Sequence, residues 1–267
     1  MSIRIIDYFQ KHRQIIEENL LLCQDPLDIE AIHNLRLSVK RIRVVLRLTA
    51  MINPASFDGS SQVIEINKLF KSSGRLRDTQ VTRQLLKEEH KQGFEPLLTD
   101  LDRREAKQRK KFERALDVFK SETLGEIESC LGHALEGVSA QRYLYAGLQL
   151  LSNMEHDVHE IFHSSTKEKR LHNIRTKLKD INYLNNIFDS SLPIEDQIRI
   201  PVERLRELGE IAGSWHDSLN LEKKIKKFIR KHPENSEVLQ AAVKKLSTRK
   251  QGLSQEYVCI LLNEMKI

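Results

Sequence analysis

The chain has 267 residues, of which 39% are hydrophobic, 31% charged and 6% aromatic, with only 10 glycines and 6 prolines; this is enough apolar material for a core, and it is the composition of a helical protein with long charged faces. A formal net charge of +6 and a pI near 9.1 point to an anionic partner without choosing among anions. No apolar run approaches the roughly 18 residues of a membrane span, and Met1–Lys11 lacks the apolar region of a signal peptide, so neither a spanning segment nor export is expected.

Taken in chain order, the pattern predicts helices and almost nothing else. The first covers about 3–23 and ends before Asp25-Pro26; the next runs from about Asp28 to Asn53-Pro54, because proline disfavours a helical residue before it. Helical pattern returns near 61–72, Gly74 reads as a break, and a helix resumes near Asp78. Gly93 and Pro96 punctuate a turn before a charged helix over about 97–120 and another running to Gly137. The second half predicts helices over about 141–163, 168–189, 197–212, 217–231 and 235–264, with breaks at Pro193, Gly213 and Pro233. No stretch alternates with period two for long enough to be a strand. The three cysteines, Cys23, Cys130 and Cys259, are far apart and form no C-x-x-C. They read as reduced and mostly buried, hence a cytoplasmic-type compartment.

Two motifs recur at one offset. His33-Asn34-Leu35-Arg36, followed by Lys40, returns as His172-Asn173-Ile174-Arg175, followed by Lys179; Gly74-x-x-x-Asp78 returns as Gly213-x-x-x-Asp217. The separation is the same for every pair: 33 to 172, 36 to 175, 40 to 179, 74 to 213 and 78 to 217. A constant offset across separate motifs marks an internal duplication. The expected organisation is two similar repeats, 1–139 and 140–267, packed into one compact whole. The expected fold is all-α: duplicated antiparallel helical bundles, two pseudo-symmetric halves of about four helices each.

The basic helix is the informative element. His33, Arg36, Lys40, Arg43 and Arg47 are spaced 3, 4, 3 and 4 apart, which puts them on one face of one helix. The row is about 21 Å long. Ile32, Leu35, Val39, Ile42 and Leu46 form an apolar stripe on one side; Leu37, Val44 and Leu48 lie on the other. No Asp or Glu occurs from Ala31 to Phe57, so the usual i,i+4 acidic partners are missing. Such cations repel one another, and an external polyanion is the simplest way to offset that. Further cations cluster at Lys68, Lys71, Arg75, Arg77, Arg83 and Lys87, where Asp78 is the only acid from Asn67 to Lys87. The runs Arg103–Arg114 and Lys223–Lys231 read as solvated faces. Asp78 and Asp217 read as helix caps that hold nearby arginines.

The string His33-x-x-Arg36-x-x-x-Lys40-Arg41-x-Arg43, the segment Gly74-Arg75-x-Arg77-Asp78 and the second histidine helix together resemble the conserved histidine α-helical domain, or CHAD, family. The resemblance covers nearly the whole chain. It implies a duplicated bundle whose two histidine helices face a shared basic cavity, binding of inorganic polyphosphate and association with polyphosphate granules. Carried over by residue, the implied polyphosphate ligands are His33, Arg36, Lys40, Arg41, Arg43, Arg47, Arg75 and Arg77, with His172, Arg175, Lys177, Lys179 and His216 in the second repeat. The second repeat departs from this pattern: Asp180, Asn182 and Asn186 stand where Arg41, Arg43 and Arg47 stand in the first. Arginine forks suit bidentate phosphate contact, and lysine supplies point charge. A nearby anion raises a histidine's pKa, so binding is expected to be tighter at pH 6 than at pH 8. No cofactor, no metal and no catalytic role is expected.

Two other readings compete. His159-Glu160-Ile161-Phe162-His163 matches the zinc-hydrolase signature H-E-x-x-H, with His156 as a third imidazole on the same face. Five residues with two free positions, in a chain of ten histidines, make a modest signal, and Ile161 and Phe162 read as core. The second is a nucleic-acid-binding helical protein, since basic helices also fit a phosphate backbone. Aromatics for base stacking are few; Trp215 is the only tryptophan and reads as core.

Overall fold

In this computed structural model the described residues are 2–23, 28–59, 63–88, 93–120, 122–164, 168–188, 200–233 and 236–264. Among them the secondary structure is helices and short turns, with no strand: α1 (Ser2–Leu22), α2 (Ile29–Ile52), α3 (Ile64–Glu88), α4 (Glu95–Val118), α5 (Glu122–Leu135), α6 (Ala140–Ser164), α7 (Glu168–Phe188), α8 (Val202–Ile229) and α9 (Ser236–Glu264). The all-α expectation holds. Asp25-Pro26, Pro193 and residues 61 and 62 lie outside the described residues.

Helix α2 shows how local sequence sets its ends. Asp28 is the N-cap, and its carboxylate accepts the Glu30 N–H at 2.7 Å. The helix ends at Ile52, before Asn53-Pro54, as proline dictates. Its last carbonyls find donors outside the helix. The Arg142 guanidinium donates to Ile52 O at 3.0 Å and to Met51 O at 3.3 Å, placing a cation at the negative end of the dipole.

The chain divides into two compact units. Unit one comprises Met1–Arg77, Gln108–Val158 and Lys179–Gln197. Its α1 packs on α2, and α5 packs on both. One core cluster joins Cys23, Ala31, Ile32, Leu35, Leu69, Leu76 and Phe112, with Leu20, Leu116 and Phe119 against it. Unit two comprises Asp78–Lys107, His159–Leu178 and Ile198–Ile267. There α8 and α9 form a hairpin, whose core includes Leu221, Ile225, Phe228, Leu239 and Leu246 with Phe94, Leu97 and Leu101. Glu222, 3% exposed in its side chain, is held by Lys226 at 2.5 Å and Lys250 at 2.8 Å; a buried carboxylate needs such pairing.

Several punctuation marks read differently in three dimensions. Gly74 does not break a helix: α3 runs through it, as α8 runs through Gly213. Asp78 and Asp217 are therefore mid-helix and cap nothing. The reason for Gly74 lies in another helix. A Cβ there would sit 2.8 Å from Arg36 Nη1, so the glycine leaves room for that guanidinium. At Gly213 an added Cβ meets nothing within 4 Å. Pro96 is the second residue of α4, where its missing N–H costs nothing, and Gly93 before it takes a φ of +95°. Of the cysteines, all free, only Cys23 is buried; Cys130 and Cys259 are exposed, against the expectation that most would be buried.

The two glycines predict opposite mutational behaviour. Gly213→Ala should raise the unfolding free energy by about 0.5–1 kcal/mol, the ordinary gain for a helix interior, whereas Gly74→Ala should give no gain because Arg36 must move. Denaturant melts of both variants test this; equal gains would contradict the role given to Gly74.

Candidate functional site

The cationic row stands on α2 in unit one, and burial divides that helix as its sequence does. Ile32, Leu35, Val39, Ile42 and Leu46 are at most 1% exposed, and Val44 and Leu48 are fully buried. Between these flanks His33 and Arg47 are exposed, while Arg36, Lys40 and Arg43 are half-buried. The apolar flanks leave the cations little freedom to spread apart.

The fold supplies partners that α2 lacks. Arg36 Nη1 donates to the Phe70 carbonyl at 2.6 Å and to Ser73 Oγ at 3.2 Å, in the space left by Gly74. Its guanidinium carbon lies 4.1 Å from the centroid of the Phe70 ring. Arg43 lies 4.1 Å from the same centroid and donates to Asn67 Oδ1. Lys40 Nζ is 6.0 Å from it. Arg47 pairs with Asp180 at 2.8 Å. The acid absent from residues 31–57 is thus provided by α7. Burial pulls the pKa of Arg43 down, with Asp180 opposing.

His33 meets Arg77 at 3.5 Å from Nδ1 to Nη2, and Arg77 also donates to Ile29 O at 3.4 Å. Burial, and then Arg77, hold His33 below the usual imidazole range, with Lys40 and Lys179 acting in the same direction. Without ligand, His33 therefore takes up a proton only at a pH lower than an ordinary histidine would. The matching positions of the second histidine motif also meet. His172 and His216, both in unit two, stack with centroids 4.7 Å apart and planes 24° apart. His216 Nδ1 lies 3.2 Å from Asn220 Nδ2 and 3.9 Å from Asp217 Oδ1. Arg175 and Lys177 are half-buried, and the Arg175 charge bears on Tyr257, a phenol whose pKa burial raises.

Arg41 is not brought into the row. It lies 5.7 Å over the Tyr183 ring, and its Nε is buried without a hydrogen-bond partner among the described residues. Its neighbours form a buried polar cluster in which His12 Nδ1 is 3.3 Å from Ser38 Oγ and packs edge-on to Tyr8. Burial pushes Tyr8 up to about 12. Burial, with help from Arg41, pushes His12 down to about 4. Arg75 is exposed on α3.

The competing sites gain little from the geometry. His159 and His163 meet Nε2 to Nε2 at 3.0 Å, but no three His, Cys, Asp or Glu groups among the described residues could hold a metal, so His156 is not brought in as a third ligand. Trp215, 1% exposed, is core and offers no stacking surface. Within the basic runs, Arg104 pairs with Asp100 one turn earlier on α4, and Lys223 pairs with Glu168 on α7. Lys224 is the exception: it is half-buried and donates to the Asp78 carbonyl at 2.5 Å. The roles of Phe70 and Asn67, and the pairing of Asp180 with Arg47, were not visible in the sequence. An apolar residue on an amphipathic helix reads as core, and the only nearby signal was Gly74, one turn later.

The family profile of the CHAD domain matches residues 7–226 of the chain. The crystal structure of the CHAD domain from the plant Ricinus communis is similar in fold, with a TM-score of 0.77 at 16% identity, covering 100% of this chain and 92% of that one. No curated protein sequence matches the chain.

The buried cluster behind Arg41 predicts a pH dependence of stability. His12 titrates near 4 in the folded protein but near 6.5 when unfolded. Between those values the unfolded chain binds more protons, so stability falls as pH drops through that window, by roughly 2–3 kcal/mol in all. Unfolding free energies at pH 7, 5.5 and 4.5 should decline in the wild type and decline less in His12→Gln. Parallel declines would remove His12 as the cause.

Proposed function

Since the chain belongs to the CHAD domain family, we propose that it is a binding module for inorganic polyphosphate, whose ligand lies along the cationic row of α2. The observation that carries this is the row itself: His33, Lys40 and Arg43 held side by side between buried apolar stripes, with Arg36 at their base and Arg77 beside His33. Polyphosphate repeats one anionic unit and has no bases to read. A line of donors suits it better than a shaped pocket does.

The residues divide by what already occupies them. Arg36 is bolted to the α3 backbone, so its charge acts from the floor of the row. Arg47 is engaged by Asp180, which lowers its availability. His33, Lys40, Arg43, Arg75, Arg77 and Lys179, all in unit one, are the ligand-facing set. His172, Arg175, Lys177 and His216 belong to unit two and form a weaker cationic group, because Asp180, Asn182 and Asn186 stand on the second histidine helix where the first has arginines. Storage on polyphosphate granules would be one use of such a module. Among the described residues no helix is long and apolar enough to cross a membrane.

Binding of end-labelled polyphosphate of defined length, followed by anisotropy over a range of salt concentrations, tests the reading. Arg43→Ala should weaken binding by about tenfold, the worth of a charged hydrogen bond, and should flatten the salt dependence by about one phosphate contact. Asp180→Asn should tighten binding by releasing Arg47. Duplex DNA should compete poorly. DNA binding as tight as polyphosphate binding, with Arg43→Ala silent, would move the site elsewhere.

A further inference from the structure

We propose that Phe70 is the positioning residue of the cationic row, the element that fixes where Arg36, Lys40 and Arg43 present their donors. This rests on the polyphosphate reading above and deepens it. One phenyl ring serves three cations on a neighbouring helix: the guanidinium carbons of Arg36 and Arg43 each stand 4.1 Å from its centroid, and Lys40 Nζ stands 6.0 Å from it. All lie within the range at which the negative face of a ring attracts a cation. The same residue's carbonyl takes a hydrogen bond from Arg36 at 2.6 Å. Phe70 therefore acts twice, through its backbone on one arginine and through its ring on the whole row.

The chemistry suits a site that must wait for an anion. A ring satisfies a guanidinium through its face and consumes none of its five in-plane N–H donors. A carboxylate in the same place would neutralise the charge and occupy the donors, as Asp180 does to Arg47. An aliphatic side chain would exclude water equally but attract nothing. The ring thus offsets mutual repulsion in the free protein without bringing an anion to the row.

The duplication supplies a comparison inside the chain. At the offset that carries His33 onto His172, Phe70 corresponds to Gly209, and Arg43 and Arg47 correspond to Asn182 and Asn186. An added Cβ at Gly209 would meet nothing within 4 Å, so no packing demand excludes a side chain there. Of the three cations the ring touches, Arg43 is missing together with the ring, whereas Arg36 and Lys40 keep counterparts in Arg175 and Lys179, so the comparison ties the ring to Arg43 above all.

The test compares Phe70→Leu, which keeps apolar bulk without the aromatic face, with Phe70→Tyr and Phe70→Trp, which keep the face. Polyphosphate affinity should fall about tenfold in Phe70→Leu and recover in the aromatic variants, with circular dichroism melts confirming folded protein throughout. In the ligand-free protein, the Nε–Hε resonance of Arg43 should carry a ring-current displacement that Phe70→Leu abolishes. Wild-type affinity in Phe70→Leu, or equal loss in the leucine and aromatic variants, would overturn the proposal. A wild type that binds no polyphosphate would overturn the reading beneath it instead; the Arg43 resonance would still decide whether Phe70 positions the row.

Discussion

Like charges held side by side on one helix, with buried apolar stripes on both flanks, are the constraint to which unit one answers. His33, Arg36, Lys40, Arg43 and Arg47 cannot move apart without exposing Ile32, Leu35, Val39, Ile42 and Leu46, all at most 1% exposed. Hydrophobic burial therefore fixes an arrangement that electrostatics opposes. The surrounding helices relieve the strain without cancelling the charge. Helix α3 brings a ring, a carbonyl, a hydroxyl and an amide to Arg36 and Arg43, none of them anionic. At the end of the row a carboxylate, Asp180, closes an ion pair with Arg47. Ring, carbonyl, hydroxyl and amide partners leave the charge of Arg36 and Arg43 in place, which suits the row to receive an anion from outside.

The two histidine motifs differ in their charge, and each brings its own pair of positions together. Positions 33 and 77 approach in unit one, and the matching positions 172 and 216 approach in unit two. Yet His33 faces an arginine and His172 faces another histidine. Asp180, Asn182 and Asn186 remove three cations from the second helix, and the first of these also quenches Arg47 in the first. At position 180 one aspartate has two effects: it stands where the first motif has a cation, and it pairs with Arg47. Arg36 and Gly74 show a comparable coupling: the glycine makes space for the guanidinium at 2.8 Å, whereas Gly213 has no such neighbour.

Much of the fold was legible because helix periodicity and proline are local signals. Asn53-Pro54 marked the end of α2, the stripe of Ile32 to Leu46 was buried as its spacing required, and Trp215 was core. What failed depended on residues distant in sequence. Gly74 and Gly213 read as breaks because a glycine in a sequence is a breaker by default; only the position of Arg36 explains Gly74 as a space. Asp78 and Asp217 then read as caps, an error that followed from the first. In the site, the cations were visible by type and spacing, but their partners were not. Asp180 stands in the opposite half of the chain from Arg47, and nothing local distinguishes Phe70 from any core phenylalanine. Arg41 follows Lys40 directly and entered the ligand set through the family resemblance, whereas one residue of helical rotation, about 100°, turns it onto Tyr183.

The central claim is that the anion lies on the α2 row rather than on the exposed basic runs, and lysine footprinting tests this most directly. The protein would be acetylated briefly with and without polyphosphate of defined length, and each lysine read by mass spectrometry. The account predicts protection of Lys40 and Lys179, with Lys110, Lys111, Lys223 and Lys227 still reactive. Protection spread evenly over all lysines, or confined to the runs on α4 and α8, would contradict it.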